Sequence, residues 1–226
     1  MIYALVDIDE TMLSVPHGIN AKTSAVMFKK VFGIDAHEEM IDNIGKTEMG
    51  IIDEVLAKFG IENKQIPESS YRIWAEALDK ELDSDPVKIL PGMTDFLEAL
   101  FKNPKVSLFL LTGNSPWRAE SKLKSAGFDR YFRDPSTGKL AGVFGDETPK
   151  RDELFTILKN RVNPSDTFVV VDDSLIGAKM AKNNNLTMIA LETGKAKRND
   201  FQPYTNNIFP DLGEGRWKEA VEIILA

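Results

Sequence analysis

Four stretches of the chain are continuously apolar and end in polar or glycine residues: "IYALVDI", "VSLFLLTG", "TFVVVDDS" and "LTMIALETG". Unbroken runs of Val, Ile, Leu and Phe of this length fit strands of a parallel sheet that is covered on both faces. Between them the rhythm changes to the three- and four-residue spacing of helices. "MTDFLEALF" precedes the second strand, "PWRAESKLKSAGF" follows it, and "KRDELFTILKNRV" precedes the third. Strand and helix in alternation predict an open α/β fold with a parallel sheet.

Residues 14–88 break the alternation. "INAKTSAVMFKKVFG", "KTEMGIIDEVLAKFG" and "PESSYRIWAEALDKEL" all carry helical apolar spacing, and the first two close at Gly33 and Gly60. The pattern predicts a helical insertion, residues 14–88, within an α/β domain made of residues 1–13 and 89–226. "DPVKILPGM" is the expected return path, stiffened by Pro86 and Pro91 and turned at Gly92. Tyr71, Trp74 and Leu78 share a helical face and are expected to pack inside the insertion. His17 falls at its entry. "GKAKRND", around Lys195, is expected to be a solvated loop.

Composition narrows the function classes. The 226 residues are 42% hydrophobic and 28% charged, with a formal net charge of -7. That balance argues for a globular protein and against nucleic acid or an anionic membrane as partner. There is no cysteine and there are only two histidines, His17 and His37, so thiolate chemistry and most zinc sites are excluded. The N-terminus lacks the pattern of a signal peptide, and no apolar run is long enough to span a bilayer. A soluble, cytoplasmic protein is expected.

In open α/β sheets, ligands sit at the carboxyl ends of the strands. The first strand is expected to end in Asp7 and Asp9, two residues apart and so on one side, followed by Thr11. The second ends in Thr112, Gly113 and Asn114, the third in Asp172, Asp173 and Ser174, and Lys150 with Arg151 starts the helix before it. Singly, each is an ordinary cap or turn residue. Together, three or more carboxylates at one sheet edge require a cation. Oxygen ligands of this kind suit a hard divalent ion, Mg²⁺ above all. Thr112 and the amides near Gly113 would then hold an anion whose remaining charge a Lys or Arg balances.

"DIDET", "LLTGN", "PKRDEL" and "VVVDDS" resemble, in this order, the four motifs of the haloacid dehalogenase superfamily of phosphatases. The chain looks most like its phosphoglycolate-phosphatase-like group. The resemblance implies a Rossmann-like core with an α-helical cap, and a Mg²⁺-dependent phosphatase of a small phosphorylated metabolite. Asp7 would be the nucleophile, Asp9 the acid and base, and Thr112 with Gly113 and Asn114 the phosphate holders. Thr11 belongs to the same phosphate-binding set. Asp7, Asp9 through its backbone carbonyl, and Asp173 would hold the metal, with the role of Asp172 open. Either Lys150 or Arg151 would be the third-motif cation. Glu10 departs from the family, standing where many relatives have glycine. Gly177 lies near where they often have a second acidic residue. In the cap, "GKTEMG" is expected to be a loop that carries Lys46 toward the substrate. A phosphomutase of the β-phosphoglucomutase type and, further off, a non-catalytic regulatory protein are the alternatives. Oligomeric state is open.

Overall fold

The computed structural model describes residues 1–62, 64–163 and 165–226. Six strands form one sheet, in the order β5-β4-β1-β6-β7-β8, and every neighbouring pair is parallel. β1 (Ile2–Val6) lies between β4 (Val106–Leu111) and β6 (Thr167–Asp172), with β7 (Thr187–Leu191) beyond. These are the four apolar runs. The outer strands β5 (Gly142–Val143) and β8 (Ile208–Phe209) have two residues each and no periodicity to betray them.

Alternation along the strands sorts their side chains into two apolar layers. Ala4, Val6, Leu108, Leu110, Val169 and Val171 face one cluster, completed by α4 (Met93–Phe101), α5 (Pro116–Ala126) and α9 (Arg216–Leu225). Leu5, Leu111 and Val170 face the other, under α6 (Leu154–Lys159), α7 (Leu175–Asn183) and α8 (Arg198–Phe201). Covered on both faces, the strands have no place for polar residues until their ends.

The helical segment has its own core. α1 (Ile19–Met27), α2 (Glu48–Lys58) and α3 (Glu68–Leu82) close over Phe28, Ile52, Val55, Tyr71 and Trp74. Leu78, in phase with these aromatics, packs instead into the sheet-side cluster. The segment is entered and left through a two-stranded antiparallel ribbon, β2 (Leu13–Ser14) with β3 (Lys88–Ile89). "GKTEMG" is a loop only as far as Thr47, whose side chain caps α2 by accepting from Gly50 N, so Glu48 to Gly50 form the first helical turn. "GKAKRND" includes the start of α8, and Lys197 Nζ donates to the carbonyls of Glu192 and Gly194. Among the described residues, no helix is long and apolar enough to cross a membrane.

Candidate active site

β1 stops at Val6, so the turn that follows, and not the pleat of a strand, aims Asp7 and Asp9. Asp7 N still bonds Val171 O, which ties the residue to the end of β6. The chain then turns back on itself, with Met12 N donating to Ile8 O and Glu10 N to Leu13 O. Glu10 takes a left-handed conformation, φ 54°, at the point where a glycine would adopt it without a steric cost.

This turn sends the two carboxylates to different partners. Arg151 Nη2 lies 3.0 Å from Asp7 Oδ1 and 2.9 Å from Asp172 Oδ2. Asp7 Oδ1 nevertheless receives no hydrogen bond. Burial pushes the Asp7 carboxyl up, Arg151 opposes this, and Asp172 and Asp9 add to the rise, leaving it at about 6. Asp9 is the reverse case. Burial would raise it, but Lys122 Nζ donates to both its oxygens at 2.7 Å and Asn114 Nδ2 to one at 2.7 Å, so its carboxyl falls below the ordinary value. Lys122 also donates to Asn114 Oδ1 at 2.7 Å. The two aspartates therefore differ in charge preference, Asp7 toward the neutral form and Asp9 toward the charged one.

Asp7, Asp172 and Asp173 are all buried, and each offers an oxygen within 4.8 Å of the others. Burial, then Asp172 and Asp7, push Asp173 well up. Three buried carboxylates, one with an oxygen that no donor satisfies, form an all-oxygen set that could hold a hard cation. Asp172 is the most engaged of the three: its Oδ1 accepts from Ser174 N and Ser174 Oγ, and its Oδ2 meets Arg151. It anchors the arginine.

A cavity of about 200 Å³ opens over these groups, lined by Asp7, Asp9, Asp173, Gly113, Asn114 and Arg151 at the sheet end. Lys46 lines it too, although its ammonium is paired with Glu54 at 2.6 Å. Lys150 lies away from the cavity, whereas Thr11 and Thr112 lie behind its carboxylates, Thr11 bonded to Asp173 and Thr112 to Asp7. Lys150 is 69% exposed and pairs with Glu153, because only Arg151 is turned inward by the short 3₁₀ turn Arg151–Glu153. Thr11 is fully buried and spends its hydroxyl on Asp173 Oδ1 at 2.9 Å. Thr112 is likewise fully buried, and its hydroxyl accepts from the Asn114 side chain at 3.0 Å.

The sequence reading missed four charged lining residues: Lys122, Arg118, Glu48 and Glu38. Lys122 and Arg118 sit one turn apart on α5, and both are buried. Arg118 joins the two parts of the chain, donating to Glu48 Oε1 and Asn20 Oδ1 of the helical segment, each at 2.8 Å. Backbone contacts reinforce this closure. Glu48 N donates to Gly113 O and Met49 N to Gly145 O, using the free amides at the start of α2. A Cβ on Gly113 would lie 2.1 Å from Lys46 O, so only glycine lets the chains approach this closely.

Solved structures of the same fold include CbbY from Rhodobacter sphaeroides in complex with phosphate, with a TM-score of 0.64 and 18% identity over 95% of this chain and 96% of that one. β-Phosphoglucomutase from Clostridium difficile gives 0.64 and 17% over 100% and 98%. A hydrolase from Pseudomonas syringae gives 0.62 and 18% over 93% and 94%. No sequence among the curated proteins matches the chain. Residues 4–185 do match the family model of the haloacid dehalogenase-like hydrolases, and the chain belongs to that family.

Proposed function

We propose that this chain is a Mg²⁺-dependent phosphomonoester hydrolase that acts on a small phosphorylated metabolite through an aspartyl-phosphate on Asp7. The observation that carries the proposal is the split between two neighbouring aspartates. Asp7 has an unsatisfied oxygen beside Arg151, while Asp9 is held across the cavity mouth by Lys122 and Asn114. In this reading residues 14–88 are the cap over a core of residues 1–13 and 89–226.

Asp7 Oδ attacks phosphorus in line, the bond from phosphorus to the leaving oxygen breaks, and the acyl phosphate forms. Arg151 sits beside Asp7 and carries the charge that the transferring group gains. In the free protein Asp9 is a carboxylate. An arriving phosphoryl anion raises it toward the protonated form, so that it can donate to the leaving oxygen. In the second half-reaction Asp9 takes a proton from water as that water attacks phosphorus, phosphate departs and Asp7 is restored. Mg²⁺, when bound by Asp7, Asp173 and the Asp9 carbonyl, would shield the anionic nucleophile from the anionic substrate.

A phosphate-release screen over phosphorylated metabolites, with and without Mg²⁺ and with Asp7→Asn alongside, tests this. The expected result is Mg²⁺-dependent release that falls by several orders of magnitude in the variant. Fluoroberyllate, an acyl-phosphate mimic, should protect only the wild type. An active Asp7→Asn protein would refute the covalent route, and phosphoryl return to a sugar would mark a mutase instead.

A further inference from the structure

The phosphoryl end of the cavity uses Arg151 and Lys122. The opposite wall is built from different groups and has a different charge balance. Arg118 Nη1 donates to Glu48 Oε1 at 2.8 Å and lies 3.9 Å from Glu38 Oε2, while Nη2 donates to Asn20. The guanidinium carbon sits 4.1 Å over the ring of Trp74. Two carboxylates thus share one cation, and that cation faces its own wall. Lys46, the other basic residue on this side, is matched by Glu54.

Acceptors are left over. Glu48 is 2% exposed, yet among the described residues its Oε2 receives no hydrogen bond. Glu38 is 4% exposed, its backbone N–H is used by Ser24 Oγ, and among the described residues no donor reaches its carboxylate within hydrogen-bond distance. Burial pushes the Glu38 carboxyl up, with Arg118 opposing. Both residues line the cavity. Buried acceptors without donors are costly, and a bound group that brings N–H or O–H donors removes the cost. An anionic group in the same place would face two carboxylates and, among the described residues, one guanidinium that they already share and of which only Nε lacks an acceptor.

We propose that the leaving-group end of this site selects a hydroxyl- or ammonium-bearing group without negative charge, so that the preferred substrate has the phosphoryl group as its single anion. The inference rests on the phosphatase reading above and names the substrate class for it. The cavity of about 200 Å³ is smaller than the roughly 300–1,000 Å³ of pockets for drug-sized ligands, which confines the leaving group to a few heavy atoms. Selection works by charge as well as by fit. A carboxylate or second phosphate is rejected where a hydroxymethyl or aminomethyl group is accepted.

Matched probes isolate that difference. Glycerol 3-phosphate and 3-phosphoglycerate share a carbon skeleton and differ by a carboxylate in place of a hydroxymethyl group. O-Phosphoethanolamine and 2-phosphoglycolate differ by a carboxylate in place of an aminomethyl group. With the full chain and Mg²⁺, kcat/KM should be at least about tenfold higher for the non-anionic member of one or both pairs, the pair showing whether hydroxyl or ammonium is preferred. Glu48→Gln and, independently, Glu38→Gln should each shrink that ratio, chiefly by lowering KM for the anionic member. Ratios near one or reversed, with p-nitrophenyl phosphate hydrolysed normally, would overturn the inference and leave the phosphatase intact. Ratios unmoved in both variants would overturn the role of these two residues. No phosphate release from any probe, the aryl phosphate included, would overturn the hydrolase reading and this inference with it.

Discussion

Replacing Asp7 by Asn removes the charge of this carboxyl and keeps its shape, so the variant mimics the protonated state at every pH. In the folded protein burial and the neighbouring Asp172 and Asp9 outweigh Arg151 and carry the Asp7 carboxyl from 3.8 to about 6. A rise of this size corresponds to about 3 kcal/mol between the two protonation states. Because the folded value is raised, the stabilising contribution is complete below 3.8 and is lost as pH climbs through about 6. Without Mg²⁺, the stability of Asp7→Asn relative to wild type should therefore grow by about 3 kcal/mol between about pH 3 and about pH 7.5. For a chain of this length that is roughly 6–12 °C in Tm. Urea or thermal denaturation of both proteins across this range, in chelator, reads the difference directly, and subtraction cancels the carboxylates remote from Asp7. Added Mg²⁺ should nearly cancel the difference, since a ligand at about a hundred times its Kd stabilises by about 2.7 kcal/mol and the variant has lost the anionic ligand. Parallel curves in chelator would refute the claim that Asp7 is held against its own charge.

Arg151→Ala should lower kcat/KM by about 10²–10³-fold or more, as loss of a preorganised charge donor does, while Lys150→Ala, a change in an exposed ion pair, should leave it nearly unchanged; steady-state kinetics on both variants decides which cation serves the site. Lys122→Met leaves Asp9 with Asn114 as its donor; its kcat should fall about 10²-fold or more for an alkyl phosphate and far less for p-nitrophenyl phosphate, whose leaving group needs no proton, and equal losses would assign Lys122 to folding alone. At position 10, Gly should give a protein more stable than Ala by about 1 kcal/mol, because both lose the bond from Ser14 Oγ but only Gly is at ease at a φ of 54°; equal urea midpoints would show that the turn carries no strain.

Much of the fold was legible because residue type and location agree over long stretches. The runs that became β1, β4, β6 and β7 are covered on both faces, and burial on both faces is what an unbroken apolar run means. β5 and β8 lacked any such signal, since each has two residues and exists through pairing with a longer neighbour, Leu110 with Gly142 and Ala190 with Ile208. The start of α2 was misplaced for a different reason. Gly50 reads as a loop residue, but it sits in the first helical turn, where a Cβ would lie 2.4 Å from Pro149 O. Its glycine serves a close packing contact, and no local pattern records a contact made a hundred residues away.

The site divides along the same physical line. Asp7, Asp9, Asp172 and Asp173 were conspicuous because charge directly after an apolar strand contradicts its surroundings, and the contradiction demands a partner. Arg118 and Lys122 contradict nothing when read as letters, since cations are common on helices. Only their phase gives them away. Arg118, Ala119, Lys122 and Leu123 fall on one face of α5 in step with its N-cap Ser115, and all five are buried, whereas Lys124, out of phase, is 59% exposed. A lysine and an arginine in step with the buried stripe of a helix must each find an anion inside the protein. Asp9 meets Lys122 and Glu48 meets Arg118. The identity of those anions could not be read from α5, because Glu48 lies 70 residues away in the chain and reaches Arg118 only after the helical segment has closed on the sheet. The existence of the need was local; its answer was tertiary.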